Sequence, residues 1–190
     1  MKKLLIVVIV MVAVGLGAWQ ILGSLQSSSD TSSSEVGSSV VAPASATVNL
    51  SNTGLTKVGP EVYNKTDTVI LNLSNNQIKT LPSEMGKMTK LQDLNLSQNL
   101  LEGSLIAEVR KMPLRKLDVS NNNMTGMPAE IGQLSKLETL NYSNNKITGL
   151  PNELKNLKNN LKEFNLTGNP LSAEAISKLK ADLPNTTVIY

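Results

Sequence analysis

Five residues recur along this chain at fixed offsets, and that recurrence restricts the possible folds more tightly than any other feature. Leu91, Leu94, Leu96, Asn99 and Leu101 set the template, at what we number positions 1, 4, 6, 9 and 11. The same offsets recover Thr68, Leu71, Leu73, Asn76 and Ile78, then Leu114, Leu117, Val119, Asn122 and Met124. They recover Leu137, Leu140, Tyr142, Asn145 and Ile147, and finally Leu161, Phe164, Leu166, Asn169 and Leu171. A degraded first copy reads Ser45, Val48, Leu50, Thr53 and Leu55. Successive starts lie 23 residues apart, except for one interval of 24 before Leu161. Positions 4 and 6 are apolar and alternate with polar neighbours, as a short strand with one buried face requires. One such turn cannot bury its apolar face alone, but a stack of copies makes a continuous core.

The segments LQDLNLSQNLL at Leu91–Leu101 and LETLNYSNNKI at Leu137–Ile147 resemble the LxxLxLxxNxL core of leucine-rich repeat proteins. LPSEMGKM, MPAEIGQL and LPNELKNL, beginning at Leu81, Met127 and Leu150, resemble the LPxxIgxL half-repeat of bacterial and plant-like members. The resemblance implies an α/β solenoid, a short horseshoe with a parallel sheet on its concave face and short helical or irregular convex segments. It also implies a structural role for the position-9 residues Asn76, Asn99, Asn122, Asn145 and Asn169, whose side chains would bond backbone groups inside the turn. Thr53 departs from that pattern.

Six repeats are expected over residues 45–171, with a helix-strand cap over 172–190. In the cap, Ser172 is a candidate N-cap, Ala175, Ile176 and Leu179 form an apolar side, and Pro184 ends the helix. Thr187 to Tyr190 can then pair as a last strand. The third copy departs internally: over Leu101–Met112, Leu105 stands one place late, which predicts an irregularity on the convex side.

Lys2 and Lys3 precede an apolar run from Leu4 to Leu22 with Gln20 as its one polar residue. As a helix this run would be about 28 Å long, close to the hydrocarbon thickness of a bilayer. Trp19 falls near its far end, and no Lys or Arg follows until Lys57. Residues 1–23 therefore read as a transmembrane anchor with a cytoplasmic N-terminus and the repeats outside. The alternative is a signal peptide cleaved near Gly17, with secretion of the remainder. Residues 24–44, rich in Ser, read as a disordered tether that would hold the repeats about 26 Å from the membrane. The paired lysines and Cys-free export suggest a bacterium.

The chain has no Cys and no His. That excludes disulfides, thiolate chemistry and His-based metal or proton-transfer sites. No Gly-rich phosphate loop appears. The reading is therefore not an enzyme, with no cofactor and no metal. Aromatic residues make up 3% of the chain, and the net charge of +3 includes Lys2 and Lys3. Neither supports a nucleic-acid surface.

Positions 5, 7 and 8 run as small neutral residues: Asn49, Asn72, Asn95, Asp118, Asn141 and Asn165 at position 5, Ser or Thr at 7, mostly Asn at 8. Either this is a polar binding strip, or like neighbours bond one another across strands. It holds no Trp, Tyr or Arg, the usual interface anchors. Discrimination between partners is expected at positions 2 and 3. The candidate patch is Gln92, Asp93, Arg115, Lys116, Asp118, Glu138, Thr139 and Asn141. The expected function is a membrane-tethered, extracytoplasmic module that binds a protein or surface polymer. The alternative is a self-associating envelope spacer with no specific ligand.

Overall fold

The computed structural model describes residues 46–190. The apolar run at 4–22 and the Ser-rich stretch lie outside the described residues. Within the described residues no helix is long and apolar enough to cross a membrane.

Seven three-residue strands form one parallel sheet: β1 (Thr47–Asn49), β2 (Ile70–Asn72), β3 (Asp93–Asn95), β5 (Lys116–Asp118), β7 (Thr139–Asn141), β8 (Glu163–Asn165) and β9 (Thr187–Ile189), in that order. Each strand spans positions 3 to 5 of its copy, and equal positions lie side by side: Asp93 opposite Lys116, Leu94 opposite Leu117, Asn95 opposite Asp118. The longer copy keeps this register, with Leu140 opposite Phe164. Its extra residue is absorbed in a 3-10 segment of six residues, Asn152–Leu157, where the three preceding ones have five. The last strand is not part of a full copy. β9 pairs with β8 and adds a seventh rung to those of the six copies.

The middle residue of each strand points into the core. Leu71, Leu94, Leu117, Leu140 and Phe164 form one column of side chains, all at most 2% exposed. Position 6 supplies a second column, Leu73, Leu96, Val119, Tyr142 and Leu166. Burying each such side chain contributes about 1.5–3 kcal/mol, so the stack is held by its columns rather than by any one copy. Tyr142 alone brings a polar atom into a column, and its hydroxyl is buried without a hydrogen-bond partner.

The chain leaves each strand through the same turn. The position-5 carboxamide or carboxylate oxygen accepts from the position-7 backbone N–H, as in Asn95 to Ser97 (2.9 Å) and Asp118 to Ser120 (2.9 Å). This Asx turn folds the chain back on itself. Position 8 then takes a left-handed conformation, with φ of 59° at Asn52, 53° at Asn75, 56° at Gln98, 55° at Asn121 and 54° at Asn144. Gly168 fills the place in the last copy at φ 75°, and a Cβ there would stand 2.4 Å from Asn144 Oδ1. Position 9 then ties each turn to the one before. Asn122 Nδ2 donates to Leu96 O of the preceding copy (3.1 Å) and to Val119 O of its own (3.0 Å), while its Oδ1 accepts from Leu101 N (2.9 Å). Asn76, Asn99, Asn145 and Asn169 repeat the arrangement. Thr53 donates its hydroxyl to Leu50 O in its own turn (2.8 Å) and to Asn76 Oδ1 of the next copy (3.2 Å), which also accepts from Thr53 N (3.1 Å).

Across from the sheet run short helical turns: α1 (Pro60–Tyr63) and 3-10 segments at Ser83–Lys87, Ala107–Lys111, Ala129–Gln133 and Asn152–Leu157. Pro82, Pro128 and Pro151 start three of them at φ between −70° and −75°, where the ring holds the backbone ready for the turn. Each turn carries a Glu at its start, where the amide dipoles favour a negative charge. The turns lie close enough that a Cβ on Gly132 would meet Glu153 O at 2.3 Å. The third copy departs as its spacing suggests. Glu102–Gly103 (β4) pairs in parallel with Asn123–Met124 (β6) of the next copy, and Gly103 stands at φ 67°.

The cap helix α2 spans Ala173–Asp182. Ser172 Oγ accepts from Ala175 N at 3.1 Å, Ile176 and Leu179 are buried, and the helix packs beside the 3-10 segment Asn152–Leu157.

Candidate functional site

A groove of about 460 Å³ runs over the open face of the sheet. Its floor is the strands themselves, and its walls are the side chains at positions 3 and 5 of five neighbouring copies. Position 3 supplies Ile70, Asp93, Lys116, Thr139 and Glu163 in register. Position 5 supplies Asn72, Asn95, Asp118 and Asn141.

The two rows are chemically unlike. At position 5 each acceptor oxygen is already engaged by the backbone two residues on. Asp118 accepts a further bond from Asn141 Nδ2 at 3.1 Å. That row is therefore committed to shaping the turn. At position 3 the side chains are free of the turn, and apolar, acidic, basic and hydroxyl groups alternate along the groove. Only one loose pair links them, Lys116 Nζ to Asp93 Oδ2 at 4.0 Å.

The residues marked by sequence fall into two sets. Asp93, Lys116, Asp118, Thr139 and Asn141 line the groove. Gln92, Arg115 and Glu138, at position 2, lie outside it on the rim where the chain arrives at each strand. There Glu138 takes both Arg115 and Lys162, the latter at 2.5 Å. The Lys162 ammonium and the Arg115 guanidinium hold the Glu138 carboxyl below its ordinary pKa. The candidate patch leaves out Ile70 and Glu163, which belong to the position-3 row where discrimination is expected and which also line the groove. Position 7, expected outward, is buried at Ser120 and Ser143 in the middle of the stack, half-buried at Ser51, Ser74 and Ser97 and exposed at Thr167.

Among the described residues no group of acidic side chains could hold a metal ion. The Tyr142 hydroxyl, its pKa driven far up by burial, is sealed in the core and faces no cleft.

The family model described as Leucine rich repeat matches residues 46–101 and 113–171. The gap between the two stretches falls on the irregular part of the third copy. No curated protein matches the chain. Among solved structures, a leucine-rich-repeat protein of Leptospira interrogans is 29% identical, with a TM-score of 0.57, over 72% of this chain and 40% of that one. The Arabidopsis receptor kinase HAESA, solved in complex with the peptide hormone IDA and a co-receptor, is 28% identical with a TM-score of 0.64, over 76% of this chain and 25% of that one. The ectodomain of a second Arabidopsis thaliana membrane receptor kinase, also solved with a bound factor, is 29% identical with a TM-score of 0.63, over 75% of this chain and 18% of that one. This chain thus spans less than half the length of each. With the family model covering more than half of its residues, and with the repeat geometry described above, the chain belongs to the leucine-rich repeat family.

Proposed function

We propose that the chain is a binding module whose open sheet face receives an extended segment of a protein partner. The observation that carries this is the position-3 row: five in-register side chains of different chemistry along an open groove, none of them used by the turn. A rigid parallel sheet presents such a row without conformational cost, and its variation from copy to copy supplies specificity. Two structurally similar receptor ectodomains were solved with a peptide or factor bound, which supports the same use here. The fold is of a kind that serves mainly as a scaffold for protein contacts, and the absence of His and Cys supports a non-catalytic role.

The setting we propose for it is outside a membrane. Residues 4–22 would be the anchor and residues 24–44 the tether, on the grounds of the apolar run and the Lys distribution. Protease protection in sealed vesicles tests the placement. Loss of residues 46–190 to protease added inside, but not outside, overturns it.

The binding reading is tested by capture from an extract with the full chain in non-ionic detergent. A partner retained by the wild type and lost on Asp93→Ala/Lys116→Ala is the expected result. A partner retained equally by both overturns the assignment to the groove. The alternative, a self-associating spacer, draws on the outer strand β9, beside which Ile189 and Tyr190 are exposed. Sedimentation decides it: a concentration-independent monomer excludes the spacer.

A further inference from the structure

The charges of residues 46–190 are sorted by rim. Where the chain leaves the strands, between position 10 and the convex turn, the only charged side chains are Lys57, Lys79, Glu102 and Lys146. The start of each convex turn carries one Glu. Where the chain arrives at the strands, cations accumulate in every copy that precedes a central strand. Some are paired: Lys90 with Asp67, Arg110 with Glu130 at 3.6 Å, and Arg115 with Lys162 through the shared Glu138. Others are not. The ammonium groups of Lys65, Lys111, Lys136 and Lys158 have no ion pair or hydrogen bond among the described residues. They fall before β2, β5, β7 and β8, three of them three residues ahead of the next copy and Lys136 one residue ahead.

A shallow depression of about 220 Å³ lies on this rim, between Arg110, Lys111 and Lys136, with the hydroxyl-bearing Thr89 and Ser135 beside them. Lys87, ahead of β3, stands 5.5 Å from the centre of the Tyr63 ring.

From this we infer that the arriving rim is a track for a linear acidic polysaccharide. Counting paired and unpaired groups together, at least one cation stands ahead of each of β2, β3, β5, β7 and β8, so positive charge follows this edge of a sheet whose rungs lie about 4.8 Å apart. A row of like charges held on a rigid frame raises the local concentration of a polyanion and gains from release of its counterions. The rim suits a polymer read by charge and hydroxyl contacts alone. It offers one aromatic ring, already covered by Lys87, for base stacking. It offers no apolar side chain for insertion into lipid, since the exposed large hydrophobic residues, Leu100, Ile189 and Tyr190, lie elsewhere. The track is distinct from the groove, and the inference does not depend on the groove binding a peptide.

The test uses the full chain in non-ionic detergent and polygalacturonate as the probe, titrated at low and high salt. Lys111→Gln/Lys136→Gln/Lys158→Gln is compared with Lys57→Gln/Lys79→Gln/Lys146→Gln, which removes the same charge from the opposite rim. Binding that weakens with salt, falls about tenfold or more in the first variant and changes less than about twofold in the second is the expected result. Equal losses in both variants, no binding, or equal binding to neutral dextran overturns the inference. So does tighter binding to duplex DNA or to phosphatidylglycerol vesicles, which would assign the rim to a different class of partner. All six positions are exposed, so both variants are expected to fold, and their far-UV circular dichroism should match that of the wild type.

Discussion

The two ends of the strands are built differently. Where the chain leaves a strand, a turn of small polar groups, uncharged except at Asp118, is repeated copy after copy: an Asx turn, a left-handed residue and an Asn that bonds to the copy before. Where the chain arrives, the copies differ from one another, and their charged side chains are exposed and only partly paired. The first end repeats because each copy must present the same groups to the next. The second varies because nothing in the stack needs it to be the same. Recurrence in this chain therefore marks the frame, and departure from recurrence marks the surface left open to a partner.

The largest expected effect would break or secure that contrast. Asn122→Ala removes the donor to Leu96 O and Val119 O and the acceptor for Leu101 N, all inside the stack. Leaving buried backbone groups unpaired should cost about 3 kcal/mol in urea unfolding. Lys111→Ala on the other rim should stay within about 0.5 kcal/mol. Equal costs for the two would remove the distinction.

Next in size is Tyr142→Phe. The Tyr142 hydroxyl is the one buried side-chain polar atom without a partner among the described residues. Removing it leaves the ring in its column and should raise stability by about 1 kcal/mol. A loss of stability instead would mean that the hydroxyl is bonded, and that the core column tolerates polar atoms as the turn does.

The smallest effect belongs to the arriving rim. With its pKa held low by Lys162 and Arg115, Glu138 contributes stability that is present above its ordinary pKa of 4.5 and fades as pH falls through the lowered value. Glu138→Gln should flatten this acid limb slightly, and moderate salt should mask the difference. An acid limb unchanged at low salt would show that the Arg115–Glu138–Lys162 row carries no net interaction.

How far the sequence discloses this fold depends on what each position answers to. Positions 4, 6 and 9 face the core or the neighbouring turn, and each admits few chemistries, so the parallel sheet can be read from Leu94, Leu96 and Asn99 alone. Position 8 answers to a backbone angle. Asn, Gln and Gly satisfy it by different means, and Gln98 in particular hides it. Position 5 looks like a binding strip in one dimension and is a turn-former in three. The groove is legible as a position before it is legible as a set of residues: position 3 stands out by its variation, but a patch drawn around Asp93 and Lys116 omits Ile70 and Glu163, which the register places in the same row. The sorting of charge between rims is invisible to a net value of +3, because a sum discards position.

The unbroken register between Thr47 and Asn165 has one more consequence. Because each copy contributes one rung and one residue to every surface row, the molecule works as a graduated rule. A duplicated block of residues 114–136 would lengthen the sheet by about 4.8 Å and add one mark to groove and rim alike, with the old marks unmoved. The length of what the chain can hold is then written as a count of copies, and evolution could change that length without redesigning a single contact.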